Sequence, residues 1–460
     1  MKNVMLSLMG LLVGVALVPQ ASALPAFARQ TGMECQACHQ QHFPVLNTFG
    51  RAFKAGGYTM MGSQGTVEGE HLSIPNTLNG AILIKMRYQY QSNGGQGVLD
   101  GAGTTGTSKG MWQMGDEFSL FFGGRLGENI GFLMENNVAA SSGPLVAGLR
   151  LPFLYDVAGS KVSAIPFTTD ALGVSYGYEL SSAGVMRANR WAELRRDASA
   201  IQFATADGNG SHGAYNGAAS GLALVIQNEM GYINYSRWSP NHLPGGNAGE
   251  MASYGPDSNY LRIAATPNVA GWDMVAGVGM MSGTSELAGA GTVDIPATVG
   301  VDPITGLPVT VAAVSSIPGS GLVDTVARFA DFQAHGQVAG NDMGVYVTYA
   351  VAPKATTGGK AQLYNSGVYD KDAVAVGVDF SLVPHTLHVG GAYRMGKTGK
   401  SSPADATVSA TDNSFMLQAI YDMTQNVALH LTASTRNGTK YANPGATGAK
   451  EYLMMLEAAW

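Results

Sequence analysis

Asn79-Gly80-Ala81-Ile82-Leu83-Ile84-Lys85-Met86-Arg87-Tyr88-Gln89-Tyr90 is the stretch that decides the fold of this chain. Ile82, Ile84, Met86, Tyr88 and Tyr90 fall on one side, and Lys85, Arg87 and Gln89 on the other. Successive side chains of a strand point to opposite faces, so the segment reads as a strand with an apolar and a polar face. The pattern recurs. Val374, Val376, Val378, Phe380 and Leu382 oppose Asp379 and Ser381; Leu387, Val389, Tyr393 and Met395 oppose His388 and Arg394. Val427, Leu429 and Leu431 oppose His430, Thr432 and Ser434. Period two over about ten residues, apolar toward lipid and polar toward a lumen, is the mark of a transmembrane β-barrel.

Strands are expected near 79–91, 116–125, 129–138, 144–156, 170–179, 220–228, 231–238, 258–266, 271–281, 325–338, 341–351, 372–382, 385–395, 412–423, 426–435 and 449–460. That makes a porin-like barrel of sixteen, with fourteen or eighteen strands as alternatives. Tight turns fall at Gly127-Glu128, Asn228-Glu229-Met230, Pro267-Asn268-Val269-Ala270, Ala339-Gly340, Val383-Pro384 and Thr424-Gln425. The opposite connections include loops of roughly 5, 40 and 43 residues. Such barrels have short periplasmic turns and longer outer loops, so an even count puts both termini in the periplasm. The parity closes if Ala198 to Ala206, which also looks strand-like, belongs to the third outer loop. At the carboxyl end Tyr452, Met454, Leu456 and Trp460 share a face, as in the terminal signal of barrel proteins.

Composition agrees. Glycine contributes 62 residues, charged residues only 13%, and the hydrophobic 45% is spread in alternation. A net charge of −6 offers no basic footprint for nucleic acid. Residues 1–23 read as a secretion signal, with Lys2, the apolar stretch Val4 to Val18, and Ala21-Ser22-Ala23 as a small-x-small cleavage site. No later apolar run is long enough for a transmembrane helix. The chain therefore divides into a signal (1–23), a front segment (24–78) and a barrel (79–460) that takes outer-membrane lipid as its surroundings.

The front segment holds both cysteines of the chain, in Cys35-Gln36-Ala37-Cys38-His39. Two thiols separated by two residues reach the two vinyl groups of one porphyrin, and the adjacent imidazole lands on the iron. A disulfide, or a zinc site with His42, leaves that order unexplained. Cys35 and Cys38 are therefore read as the anchors of one covalent haem c, and His39 as its proximal ligand. Met60 or Met61 is a candidate distal ligand, with His42 and His71 as alternatives or the sixth position open. Arg29, Arg51 and Lys54 are candidate partners of the haem propionates or of lumen carboxylates. Pro44 and Gly56-Gly57 are expected to set turns.

Pro25-Ala26-Phe27-Ala28-Arg29-Gln30-Thr31-Gly32, the Cys-x-x-Cys-His unit, Pro44, Leu46, Phe49-Gly50-Arg51 and Phe53-Lys54-Ala55-Gly56-Gly57-Tyr58 together resemble a known pattern. It is the N-terminus of the fused monohaem cytochrome–porins, the outer-membrane iron oxidases of iron-oxidising bacteria. The resemblance implies an electron conduit, an iron:cytochrome c oxidoreductase. Its haem takes electrons from extracellular ferrous iron and passes them to a periplasmic cytochrome c or other carrier.

So small a segment cannot easily cover a porphyrin alone, whereas a sixteen-stranded barrel encloses a lumen that needs filling. The front segment is therefore expected in or at the lumen. Electron export to an external acceptor, or a diffusion porin with a haem-bearing plug, are the alternatives. Lys85, Arg87, Asp379, His388, Arg394, His430 and Glu457 read as ordinary lumen lining. Asp197, Asp207, His212, Asp257 and Asp302 fall in outer loops, and the stretch around Pro303 and Pro308 reads as an extended surface loop.

Overall fold

The computed structural model describes residues 25–41, 45–92, 110–138, 145–170, 172–181, 199–205, 217–242, 255–295, 298–301, 308–311, 314–354, 360–443, 446 and 448–460. The signal-like stretch, His42, Pro44, Asp197, Asp207, His212, Asp302 and Pro303 lie outside the described residues.

Helices α1 (Pro25–Thr31), α2 (Cys35–Cys38) and α3 (Thr48–Ala55) precede an exposed hairpin of β1 (Thr66–Gly69) and β2 (Leu72–Pro75). The barrel begins with β3 (Gly80–Gln91), β4 (Gly110–Gly127), β5 (Ile130–Asn137), β6 (Val146–Arg150), β7 (Phe153–Val157) and β8 (Ser160–Thr169). After α4 (Ala200–Thr205) come β9 (Ala219–Asn228), β10 (Gly231–Ser239), β11 (Ser258–Ala265), β12 (Asn268–Val269) and β13 (Trp272–Ser282). One long connection carries its own strands, β14 (Thr284–Ile295), β15 (Thr298–Val301), β16 (Pro308–Val311) and β17 (Val314–Asp324). Then follow β18 (Ala327–Val338), β19 (Asn341–Ala352), the short β20 (Ala361–Gln362), β21 (Lys371–Val383) and β22 (Leu387–Ser401). The last are β23 (Ser409–Thr411), β24 (Asn413–Thr424), β25 (Val427–Asn437) and β26 (Lys450–Ala459).

These strands close into one antiparallel ring, with β26 paired to β3 from Glu451↔Gln91 to Ala459↔Leu83. β6 and β7 share neighbours and are halves of one strand, as are β11 and β12, and β23 and β24, so sixteen strands encircle the lumen. Two of the interruptions fall at Pro152 and Pro267, residues with no N–H to give the ladder. The protein is thus a membrane-spanning barrel of the outer-membrane type, since closure leaves no unpaired edge in lipid.

The alternation read from β3, β21, β22, β25 and β26 holds in register. Val376, Val378, Leu431, Tyr452 and Met454 face out and stay exposed, while Lys85, His388, Arg394, His430 and Glu457 are buried on the lumen side. Three hairpins use Ala-Gly pairs with both residues at positive φ: Ala158-Gly159, Ala270-Gly271 and Ala339-Gly340. This is the primed turn whose twist matches a hairpin. The tight turns, the first residues of β3 and the chain end at Trp460 all lie at one end of the barrel.

Three expectations are corrected. The fifth strand is β8, Ser160–Thr169, and not 170–179. Pro166 obscures it in the sequence. In the ring Pro166 sits opposite the Leu151-Pro152 break, where Leu151 N donates to its carbonyl at 3.0 Å. Residues 172–181 instead turn inward through a 3-10 turn, Val174–Tyr176, and bury Val174, Tyr176, Tyr178 and Leu180.

Ala198 to Ala206 stays out of the ring, as the strand count requires, but its described residues are not strand-like. Its described part contains α4, packed against β19, β21 and β22 with Ala200, Ile201 and Ala204 buried. The mid-lumen is therefore a hydrophobic core: small inward residues such as Ala223, Ala350, Ala373 and Ala375 make room for these inserts. The long fifth outer loop is not simply extended either, because β14 pairs with β17 and β15 with β16.

Val376 lies mid-strand on the outer face, opposite Val347 and Tyr393. Val376→Arg should destabilise the barrel in bilayers by about 2–4 kcal/mol, the cost of an arginine at the midplane. Lumen-facing Thr432→Ala should change little by comparison. Denaturant unfolding in liposomes checks both.

Candidate functional site

Helix α2 is a single turn, and it puts Cys35 and Cys38 three residues apart on one face. His39 caps it, with its N–H donated to Cys35 O at 2.9 Å. From there the chain doubles back: Gln40 N donates to Val45 O at 2.9 Å, Asn47 N donates to Cys38 O at 3.0 Å, and His39 bridges Leu46.

Asn47 then joins the two helices. Its side-chain oxygen caps α3 by accepting from Gly50 N at 2.9 Å. Its amide donates to Gln36 O at 3.2 Å and Ala37 O at 3.1 Å. Gly50 is required where α3 crosses α2, because a Cβ there would overlap the Cys38 carbonyl. His39 Nδ1 lies 3.2 Å from Val45 O. A hydrogen bond from Nδ1–H to a carbonyl leaves Nε2 as the basic nitrogen, the arrangement typical of a ligating histidine.

Phe27, Phe53 and Tyr58 support this unit, with Phe27 stacked on Tyr58 at 4.9 Å and Phe53 edge-on to Phe27 at 5.1 Å. Gln30 is buried and donates to Tyr58 O and Met60 O at 2.7 and 2.8 Å, tying α1 to the end of the segment.

The segment sits in the barrel mouth at the tight-turn end and is fastened around the ring. Cys35 N donates to Gln425 Oε1 at 3.1 Å, and Gln425 Nε2 to Glu34 Oε2 at 3.0 Å. Gln41 donates to Asp342 O at 3.0 Å, Thr48 to Asp273 Oδ2 at 2.7 Å, and Gln227 to Ala55 O at 2.8 Å. Buried Arg51 forms an ion pair with Asp273. Gln425, Asp342, Asp273 and Gln227 all belong to, or flank, tight turns. These polar groups at strand ends make the plug's socket, and sequence alternation gave no sign of it.

Between plug and wall lies a cavity of about 320 Å³, within the range of small-molecule sites. Cys35, Cys38 and His39 open into it beside Phe27, Met33, Leu46 and Tyr58 of the plug. Leu83, Lys85, Glu117, Phe121, Leu133, Glu135 and Arg150 come from β3 to β6, and Leu172, Ser175, Tyr176, Glu179 and Ser181 from the inward segment.

The other candidates separate clearly. Met60 and Met61 are half-buried and do not line the cavity, whereas Met33 does. His71 stands exposed at the tip of the β1–β2 hairpin. Of the three suggested propionate partners, Arg51 is taken by Asp273 and Arg29 donates to Gly80 O at 2.5 Å; Lys54 alone faces the cavity. Arg150 faces it too, on a strand whose alternation marks it only as lumen lining. Asp257 pairs with Arg237 at 3.7 Å.

Both cysteines are unbridged thiols, and burial pushes the Cys38 thiol up from its usual value. Burial, with Arg150 next in effect and Glu179 opposing, holds the Lys54 ammonium down to about 7.

No family model matches the chain, and no curated protein does. Solved structures similar to it include OmpT of Vibrio cholerae, 10% identical with a TM-score of 0.41, covering 86% of this chain and 100% of that one. Salmonella typhi OmpF in complex with daunomycin is 12% identical at a TM-score of 0.45, with 86% and 100% covered. A mutant of the Rh. blastica porin is 10% identical at 0.44, with 84% and 100% covered.

Asp273→Ala strands the buried Arg51 charge and should weaken docking of the plug by about 3–5 kcal/mol. Faster hydrogen exchange over residues 25–62, with the barrel strands unchanged, is the expected signature. A folded pKa of about 7 against an ordinary 10.5 means the unfolded segment holds the Lys54 proton in that interval and the folded one does not. Stability of the plug should therefore rise as pH goes from about 7 toward 10.5, and Lys54→Met should flatten that slope. Protease resistance measured across this pH range checks it.

Proposed function

We propose that the chain is an outer-membrane electron conduit of the cytochrome–porin kind, with one covalent haem c held at the mouth of its own barrel. The observation that carries this reading is the placement of Cys35, Cys38 and His39 on a largely apolar cavity walled by the barrel.

The residues present fit the group. The two thiols lie on one helical face, suited to two thioethers, and His39 turns its Nδ1 to the Val45 carbonyl, suited to ligation through Nε2. When bound, the porphyrin supplies one-electron redox chemistry. The chain anchors the group, orients the imidazole, excludes water with Phe27, Leu83, Phe121 and Leu133, and bridges a hydrocarbon layer that electrons do not cross unaided.

Direction and donor follow from the resemblance of residues 25–58 to the iron-oxidising cytochrome–porins. Ferrous iron gives its electron from the loop side. A periplasmic cytochrome c or similar carrier collects it at the tight-turn end, where short turns and both chain ends of the barrel are expected. Packing of residues 172–181 and α4 in the mid-lumen favours this role over open diffusion of solutes.

Ferrous iron added to the purified, oxidised protein should bring up reduced-haem absorption bands, and Cys35→Ala/Cys38→Ala protein should lose haem staining on denaturing gels. A loaded protein whose spectrum ferrous iron leaves unchanged removes iron as donor. Staining that survives loss of both thiols removes the attachment. A strongly negative midpoint potential would favour export to an external acceptor, and solute flux through reconstituted barrels would favour the plugged porin.

A further inference from the structure

Three cationic side chains line the cavity: Lys54, Lys85 and Arg150. Lys85 is matched by Glu117 and by Glu457 at 3.8 Å. The other two form no ion pair among the described residues. Lys54 Nζ donates to the main-chain oxygen of Glu179. Arg150 Nη1 donates to Tyr176 O at 2.9 Å, its guanidinium lies 4.7 Å from the Tyr176 ring centre and 5.4 Å from that of Tyr58, and its Nε is buried without a hydrogen-bond acceptor.

The Glu179 carboxylate is engaged elsewhere, by Tyr232 Oη at 2.5 Å, Arg262 Nε at 3.2 Å and the Ser181 hydroxyl at 2.9 Å. Glu135 lines the same wall. Two cations turned toward one partly dry space repel each other, and burial raises the cost of both. An anionic guest reverses the sign of that interaction.

We propose that Lys54 and Arg150 form the anion subsite of the cavity and receive the haem propionates. This rests on the haem reading above and deepens it. Vinyl and propionate groups occupy opposite edges of protohaem. Fixing the vinyl edge at Cys35 and Cys38 therefore leaves the carboxylates to other parts of the cavity lining, which includes Lys54 and Arg150. Arginine suits that place, because its planar fork binds carboxylate in bidentate fashion.

The test compares full-length, haem-loaded protein with Arg150→Gln, Lys54→Gln and Arg150→Lys in detergent. Haem staining should persist in all, since the thioethers are untouched. The propionate bending band in resonance Raman should shift in both glutamine variants. Losing a cation beside the porphyrin disfavours the reduced form, so reduction should become about tenfold less favourable, ~59 mV for one electron. Arg150→Lys should recover most of the potential.

Unchanged bands and potentials in both loaded glutamine variants overturn the subsite while leaving the haem in place. Wild-type protein without covalent haem overturns the functional reading itself, before any variant is compared. Should Arg150→Gln lose the heat-shifted gel band of a folded barrel, Lys54→Gln decides alone.

Discussion

Everything in this molecule depends on one constraint: a strand in hydrocarbon must pair both of its edges. The ring meets it at the seam between β26 and β3, where the last strand pairs with the first along nine residue pairs from Glu451↔Gln91 to Ala459↔Leu83. Closure fixes which face of every strand sees lipid, and it also creates the interior in which the rest of the chain must live. A ring of sixteen strands is wide enough that its own side chains do not fill it. The front segment, residues 172–181 and α4 occupy that space, and the chain thereby makes its core inside the barrel.

The fold was legible wherever the constraint acts directly. Lipid demands apolar residues at every second position, so β3, β21, β22, β25 and β26 announce themselves in sequence. Legibility fails where the interior takes over. Residues 170–179 alternate well enough to pass for a strand, yet Val174, Tyr176 and Tyr178 are apolar because they face a packed lumen, not lipid. The true strand carries Pro166, tolerated because a break in its neighbour lies opposite. Ala198 to Ala206 fails for a related reason: over so few residues, burial on most sides erases the difference between a period of two and one of 3.6.

The candidate site divides along the same line. Cys35, Cys38 and His39 stand out in the sequence because they are adjacent and in a fixed order, and the fold brings all three to one cavity. His39's bond to the Val45 carbonyl and the crossing at Gly50 follow from local chain geometry, and the sequence hints at them only through the Gly and Asn positions. Arg150, Lys85 and Glu117 reach the cavity from barrel strands, where every inward residue has the same signature. Nothing local tells a cavity wall from ordinary lumen lining. Arg51 shows the converse, a conspicuous charge near the motif whose partner, Asp273, lies at a turn far along the chain.

The two parts also explain each other. The described plug has three short helices, one of them a single turn, and a small aromatic cluster, too little to enclose the cavity alone. Its missing half is supplied by β3 to β6 and by the inward segment. The socket that holds it is polar at the rim, through Gln227, Asp273, Asp342 and Gln425, and largely apolar deeper in, at Leu83, Phe121 and Leu133. Hydrogen bonds at the rim set the register of the plug. Freed from the barrel, the same residues would present thiols and an imidazole to solvent on a scaffold with little core of its own, so the wall is as much a part of the site as the motif.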